Sequence, residues 1–280
     1  MKTILFPTDF STHANNALKY AIKLSEQTKS HLIVFYSNYI PETLPKKEYV
    51  KTVQETLTYK KKMLEYMVTA LCKKNNLQLP KNIIYECENE NSVVKNILLT
   101  AKKHKAELII VGTHGATGLK KVLFGSTTSE LILKSKIPIL AIPQRFSYKK
   151  IKTIIYASDM TDLSNEVSSL LPISKAIKAP IEVLYLDYWN KGKEKDILFN
   201  KMITKNQFKN VYLIKKSVSI EKTMAEHIIN YTKKNKDSIL AMFPEERNFF
   251  EKIFFQSITE KIAFTLIRPL LSMRKSAILK

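Results

Sequence analysis

The stretch GTHGATGLKKVLFGS, residues 112–126, decides how the rest of this chain is interpreted. It contains four of the chain's five glycines. An apolar run at residues 108–111 precedes it and predicts a buried strand, while a hydroxyl-rich segment follows it and predicts a helix with Ser126 as its N-cap. Glycine lets the main chain approach a ligand closely, and the free N–H groups at a helix start attract anions. The stretch therefore predicts a phosphate-binding loop between a strand and a helix.

The spacing of these glycines matches neither the Walker A motif nor the dinucleotide fingerprint. Two residues separate Gly112 from Gly115, and nine residues separate Gly115 from the pair Gly125 and Ser126. This G-x2-G-x9-G-S pattern resembles the nucleotide-binding loop of the universal stress protein family, in its ATP-binding branch. On this loop alone, a plain tight turn between a strand and a helix, with glycines serving only its geometry, is the alternative.

A second stretch, PTDFS at residues 7–11, strengthens the resemblance. It stands between an apolar strand and a helix with one apolar stripe, and Ser11 is a candidate N-cap. In the family this turn is the other hallmark, which implies that Asp9 lies beside the ribose and that Thr8 flanks the site. Considered alone, Asp9 is better explained as a helix-capping carboxylate at a turn between a strand and a helix. The presence of both hallmarks, in the family's order, favours a nucleotide site.

Strands alternate with helices along the first half of the chain, which predicts a parallel sheet with helices on both faces. The resemblance implies the strand order 3-2-1-4-5. The turn containing Asp9 follows strand one and Gly112 follows strand four, so the two hallmarks would meet where the strand order reverses. The expected strands lie near residues 4–6, 32–36, 83–85, 108–111 and 137–143, and a long helix covers about residues 46–74.

The pattern starts again near residue 149, which predicts a tandem repeat. The expected fold is α/β, with two open five-stranded parallel sheets: residues 1–146 form a nucleotide-binding domain and residues 149–280 a degenerate copy. Asp159 echoes Asp9, but the four loop glycines are replaced by Phe243, Glu246, Phe249 and Gln256. By resemblance, the copies would pair internally through their fifth strands, residues 137–142 beside 270–273, as a pseudo-dimer. Two independent domains on a linker are the alternative.

The composition limits the remaining classes of function. The net charge is +21, yet only four of the 46 basic residues are arginine, the residue that base-reading interfaces favour. A solvated lysine surface is the preferred interpretation, with a basic nucleic-acid or membrane-surface binding protein as the alternative. Cys72 and Cys87 have no metal-binding spacing, and no apolar run is long enough to span a bilayer. A cytoplasmic protein is expected.

The sequence thus predicts an ATP-binding stress-response protein in which only the first repeat binds nucleotide, as ATP or as AMP or ADP, with Mg²⁺ accompanying ATP. The motif offers no catalytic base and no arginine finger, so a weak ATPase or phosphotransferase is the alternative rather than the expectation. A further homodimer is left open. By resemblance, the adenine would lie near Tyr36 and Ser37. The expected ligand contacts are Thr8, Asp9, Ser37, Gly112, His114, Gly115, Gly125, Ser126, Thr127 and Thr128.

Overall fold

The computed structural model describes residues 1–12, 14–113, 125–188, 192–206, 208–218, 221–243 and 268–274. The chain divides into two compact units, Met1–Tyr148 and Lys149–Lys280, called unit 1 and unit 2 below. Within the described ranges, every helix is too short or too polar to cross a bilayer.

Unit 1 is an α/β domain with five strands and four helices among its described residues. The elements are β1 (Thr3–Pro7), α1 (Ala14–Thr28), β2 (His31–Asn38), α2 (Lys46–Lys74), β3 (Ile83–Asn89), α3 (Val93–Lys103), β4 (Leu108–Gly112), α4 (Ser126–Lys134) and β5 (Ile139–Ile142). The strands are parallel and lie in the order β3-β2-β1-β4-β5. The predicted fold class and strand order are confirmed for this unit.

The sheet is built from β-branched and leucine-rich runs that are buried on both faces, as expected for parallel strands. The central residues of β1, β2 and β4 are almost fully buried. The fifth strand is shorter than predicted, because Pro138 and Pro143 flank β5 instead of lying in it. Proline has no N–H to donate to a neighbouring strand, so the ladder is confined to the four residues between them.

The connections change direction at the middle of the sheet. The steps from β1 to β2 and β3 move toward one edge, and the steps from β3 to β4 and β5 move toward the other. Right-handed crossovers therefore bring α1 and α2 to one face and α3 and α4 to the opposite face. The observed contacts agree, because α1 touches α2 and α3 touches α4. The carboxyl ends of β1 and β4 consequently flank the crevice where such sheets bind ligands.

Helix α2 is 29 residues long, but its fully buried side chains all lie in its second half. They are Leu64, Val68, Leu71 and Cys72. Hydrophobic burial therefore fixes the second half of α2 against the sheet, while most side chains of its first half are exposed or half-exposed. Lys60, discussed below, precedes the buried segment by one turn.

The last residues of unit 1 lie along α1. The Asn16 amide donates to the carbonyl oxygens of Pro143 and Phe146, at 3.3 and 2.5 Å. The ring of Tyr148 meets the ring of Tyr20 edge-on, with their centroids 5.0 Å apart. These contacts hold the end of the unit against its own first helix.

Unit 2 repeats the same strand order. Its described elements are β6 (Thr153–Ala157), α5 (Leu163–Ile177), β7 (Ile181–Asp187), α6 (Gly192–Asn206), β8 (Val211–Ser217), α7 (Met224–Lys234), β9 (Ser238–Met242) and β10 (Leu270–Ser272). The order β10-β9-β6-β7-β8 is again 3-2-1-4-5 when counted from β6, and all pairs are parallel. Helix α6 has 15 residues where α2 has 29. The internal pairing of the two fifth strands stays a prediction.

A buried polar pair distinguishes the core of unit 2. The Tyr156 phenol on β6 donates a hydrogen bond to the Glu166 carboxylate on α5, and each residue is 1% exposed. Burial is the largest cause that raises the pKa of Tyr156, followed by the Glu166 charge, so the phenol stays protonated and remains a donor. The corresponding positions of unit 1 hold Phe6 and Asn16.

Replacing Tyr156 with Phe removes this donor while preserving the ring. Because the Glu166 carboxylate would lose a buried hydrogen bond, we expect Tyr156→Phe to destabilise unit 2 by about 1–3 kcal/mol. The fluorescence of Trp189, the single tryptophan in the sequence, can follow unfolding of this unit in urea. Tyr212→Phe, at a side chain that is 53% exposed, is the matched control and should change the midpoint little. Equal midpoints for the two variants would contradict the assignment.

Candidate functional site

Two turns meet at the carboxyl edge of the unit 1 sheet. Strand β1 pairs with β4, with Ile4 opposite Leu108 and Leu5 opposite Ile109. Because parallel strands end at the same edge, the turn after Pro7 and the residues after Gly112 leave the sheet side by side. The two sequence hallmarks are therefore neighbours in space.

The turn after β1 is held by its own side chains. The Thr8 N–H donates to the Phe35 carbonyl at 2.8 Å, and the buried Thr8 hydroxyl accepts from the Phe10 N–H at 3.1 Å. The Asp9 carboxylate accepts from the Ser11 N–H at 2.9 Å. Phe10 has a φ of 61°, which lets the chain reverse sharply. As a result, Thr8 shapes the turn from inside, and the exposed Asp9 presents its carboxylate at the rim.

The prediction that Ser11 caps the first helix is wrong. Helix α1 begins at Ala14, and its N–H donates to the Ser11 carbonyl rather than to a side chain. The Ser11 hydroxyl is buried, and among the described residues it has no hydrogen-bond partner.

Unit 2 contains the same turn. The Met160 N–H donates to the Ser158 hydroxyl and the Thr161 N–H donates to the Asp159 carboxylate, both at 2.9 Å. Met160 has a φ of 63°, close to that of Phe10 in unit 1. The turn is therefore a property of the fold, and its presence alone does not mark a ligand site.

The start of α4 lies beside the carboxyl end of β4. Its N-cap is Gly125, and Ser126 is the first helical residue, so the prediction of Ser126 as the cap is wrong by one position. The Gly125 N–H donates to the Thr113 carbonyl at 2.7 Å, and the Thr113 N–H donates to the Ile142 carbonyl at 3.0 Å. Gly125 fits here because its main chain lies directly against that of Thr113. These bonds fix the start of α4 against the ends of β4 and β5.

Thr128 joins α4 to β4. Its side chain is 5% exposed, and its hydroxyl donates to the Gly112 carbonyl at 2.8 Å. Two of the predicted phosphate donors, the Thr128 hydroxyl and the Gly125 N–H, thus use their protons inside the protein. Ser126 is exposed and Thr127 is half-buried, and the N-cap, Gly125, has no side chain that could cap this end of the helix. An uncapped helix start with a hydroxyl at its surface has the donor chemistry of an anion site.

A buried side-chain amide holds Ser37 near the carboxyl end of β2. The Ser37 hydroxyl accepts from the Asn96 side-chain amide at 2.9 Å, and that amide also donates to the Glu88 carbonyl at 3.0 Å. Asn96 lies on α3 and is almost fully buried. Sequence reasoning missed Asn96, although a polar residue between the inward positions Val94 and Ile97 was a usable signal.

Tyr36, the residue before Ser37 on β2, points to the opposite face of the sheet and packs against Phe10 below α2. The centroids of Phe10 and Tyr36 are 4.7 Å apart, and the Lys60 ammonium lies 5.5 Å and 5.3 Å from them. Burial is the largest cause that raises the pKa of the Tyr36 phenol, and the charges of Cys87 and Asp9 add to it. The phenol is therefore neutral at physiological pH. Sequence reasoning missed this contact of Lys60, because the position of α2 against β2 is set by tertiary packing.

Unit 2 has a bulky side chain at the end of its fourth strand. Phe243, which aligns with Gly112, is 4% exposed, and its ring meets that of Tyr156 edge-on with centroids 5.4 Å apart. Two packed rings therefore occupy the region below the end of β9.

Some predicted residues fall outside the described part of the chain. They are His114, Gly115 and Gly118 in the first repeat and Glu246, Phe249 and Gln256 in the second. In the ranges that the structure covers, no three His, Cys, Asp or Glu side chains are grouped as metal ligands would be.

Comparison with known proteins places the chain in a family. The sequence model described as the universal stress protein family matches residues 1–143. The chain belongs to the universal stress protein family. Universal stress protein MJ0577 of Methanocaldococcus jannaschii is 31% identical over 161 residues, which cover 52% of this chain and 97% of that protein. Universal stress protein MJ0531 of the same organism is 25% identical over 146 residues, covering 50% and 81%.

The fold likeness to universal stress proteins extends beyond the first repeat. The crystal structure of a universal stress protein from Archaeoglobus fulgidus matches with a TM-score of 0.65 at 14% identity, covering 97% of this chain and 98% of that chain. At this identity the likeness shows the fold alone. It supports the same family fold in both units.

The Thr128 hydroxyl gives a direct test of how α4 is attached. Thr128→Val keeps the shape but leaves the Gly112 carbonyl without this donor, so we expect it to destabilise unit 1 by about 1–2 kcal/mol. Thr127→Val, the same change at the half-buried neighbouring position, should destabilise unit 1 less than Thr128→Val does. Hydrogen exchange of peptides from residues 1–148 can measure the stability of unit 1 in both variants. If the two variants exchange alike, Thr128 does not join the helix to the strand.

Proposed function

We propose that unit 1 binds an adenine nucleotide, ATP or its relatives AMP and ADP, as a regulatory ligand in a stress response, and that unit 2 does not bind one. The stress role comes from the family. The observation that carries the nucleotide proposal is that β1 and β4 pair in parallel, because the Asp9 turn leaves the carboxyl end of β1 and the start of α4 is bonded to the carboxyl end of β4.

The phosphates are held by the start of α4. The N–H groups of Ser126 and Thr127 have no intrahelical acceptor at this end of the helix, and the exposed Ser126 hydroxyl adds a donor. The helix dipole favours negative charge at the same point. Gly112, His114 and Gly115 contribute from the loop in this proposal. Thr128 and Gly125 act differently from the other contacts, since they position the helix through bonds to Gly112 and Thr113.

The sugar and base lie on the other side of the crevice. The exposed Asp9 carboxylate suits the hydroxyl groups of a ribose, while Thr8 fixes the turn that carries it. Ser37, held by Asn96, stands near the base. A Mg²⁺ ion would be held mainly by the phosphates and water, as is usual for this ion, so a dedicated protein cage is not required.

The difference between the units supports binding in unit 1 alone. Both carry the Asp turn, but unit 2 has the buried Phe243 ring where unit 1 has Gly112. A phosphate group needs main chain within hydrogen-bond distance, and a phenylalanine at this point fills the space with apolar surface. Glu245 and Glu246 add negative charge to the sequence that follows.

The shared turn provides a matched pair of variants. Asp9→Asn keeps an oxygen for the Ser11 N–H but loses the charge that accepts from a ribose, so we expect ATP affinity to fall about 10- to 100-fold. Asp159→Asn makes the same change in the equivalent turn of unit 2 and should leave ATP affinity unchanged. Isothermal titration calorimetry measures both, and wild type should bind one nucleotide per chain.

Three outcomes would contradict this proposal. They are no ATP binding by wild type, two equivalent sites per chain, and a larger loss for Asp159→Asn than for Asp9→Asn. Mass spectrometry of small molecules released from the purified chain gives an independent check, and an adenine nucleotide is the expected species.

A further inference from the structure

A buried amide on α3 connects the ends of two strands. Asn96 is 3% exposed, and its side-chain NH2 group donates to the Ser37 hydroxyl at 2.9 Å and to the Glu88 carbonyl at 3.0 Å. Ser37 and Glu88 lie opposite each other in the register of β2 and β3. Both N–H bonds of the amide are therefore used inside the protein, and the Asn96 nitrogen has no proton left for a ligand.

This contact fixes the hydrogen-bonding role of Ser37. A hydroxyl has one proton and two lone pairs, and here one lone pair accepts from Asn96, so the O–H bond points away from the amide. Among the described residues, none accepts the Ser37 proton, and the side chain is only half-buried. Ser37 therefore offers a hydrogen-bond donor to a ligand.

Unit 2 has the same elements without this contact. Helices α3 and α7 both have side-chain N-caps, and the fourth residue after the cap is Asn96 in α3 and His227 in α7. The strand registers place Leu186 where unit 1 has Ser37. Leucine has no hydroxyl, so this hydrogen bond cannot form in unit 2. Because both units build the same strands and helix, the fold does not require the contact.

Ser37 lies at the carboxyl edge of the unit 1 sheet. The Phe35 carbonyl, two residues earlier on β2, accepts from the N–H of Thr8 in the Asp9 turn. Because Asn96 belongs to α3, its contact places the Ser37 side chain on the α3 face of the sheet. Helix α4 lies on the same face and touches α3. Ser37 therefore shares its edge with the Asp9 turn and its face with the start of α4.

We propose that Asn96 is a positioning residue that makes Ser37 donate a hydrogen bond to a ring nitrogen of the bound adenine. This inference rests on the proposed function of unit 1. Adenine has unprotonated ring nitrogens at N1, N3 and N7, and each of them can accept a hydrogen bond. Asn96 does not touch the ligand. It occupies a lone pair on one side of the Ser37 oxygen and so directs the proton to the other side.

The test compares ATP with 1-deaza-, 3-deaza- and 7-deaza-ATP on the full chain, by isothermal titration calorimetry. In each analogue a C–H group replaces one ring nitrogen. The analogue that lacks the nitrogen accepting from Ser37 should bind wild type about 3- to 10-fold more weakly than ATP. Ser37→Ala should abolish this difference, because the proton is gone. Asn96→Asp keeps the shape but reverses the hydrogen bond, since a carboxylate takes the Ser37 proton, so it should abolish the difference as well.

Two further variants separate positioning from stability. Asn96→Leu, which also cannot donate to Ser37, should reduce the difference and replaces Asn96→Asp if circular dichroism shows that Asn96→Asp does not fold. Ile97→Val is the matched control, because it removes a buried methyl group from the same helix and leaves the hydrogen bond intact. It should retain the wild-type ratio of affinities.

The outcomes distinguish this inference from the proposed function. If wild type does not bind ATP, the proposed function fails and this inference fails with it. If wild type binds ATP, three results overturn the inference alone. They are an unchanged difference between ATP and every analogue in Ser37→Ala, an unchanged difference in the folded Asn96 variant, and a loss of the difference in Ile97→Val.

Discussion

The parallel pairing of β1 with β4 is the constraint on which the rest of unit 1 depends. Their register, with Ile4 opposite Leu108, brings two distant stretches of sequence to one edge of the sheet. The connections leave these two strands toward opposite faces, so no crossover covers the space between their ends. The Asp9 turn and the start of α4 are both positioned by this one reversal of direction.

Much of the fold could be predicted from the sequence, because burial patterns within helices and strands are local. The periodic apolar positions of α2 predicted its bounds, and the alternation of strands and helices predicted the parallel sheet. The exact ends of helices and strands were harder to predict from the sequence. The N-cap of α4 is Gly125 because its main chain bonds to Thr113, and this contact depends on how β4 and α4 meet in space.

Some side chains of the candidate site could also be identified from the sequence, and others could not. Asp9 could be identified because its turn consists of five consecutive residues with a recognisable pattern. Asn96 could not be identified, since it reaches Ser37 from a helix whose position is set by tertiary packing. The hydroxyl of Thr128 was interpreted as a ligand donor because a single sequence does not reveal that the Gly112 carbonyl competes for its proton.

The repeated turn also bears on how the two units could diverge. In each unit the Asp side chain accepts from the N–H two residues later and so holds the turn between the first strand and the following helix, and losing it would harm folding whether or not a nucleotide is present. A duplicated copy that is released from ligand binding would therefore keep its aspartate under structural selection. The glycines at the end of the fourth strand do not have this structural role. In a copy that no longer binds ligand, they would therefore be the first residues to be substituted.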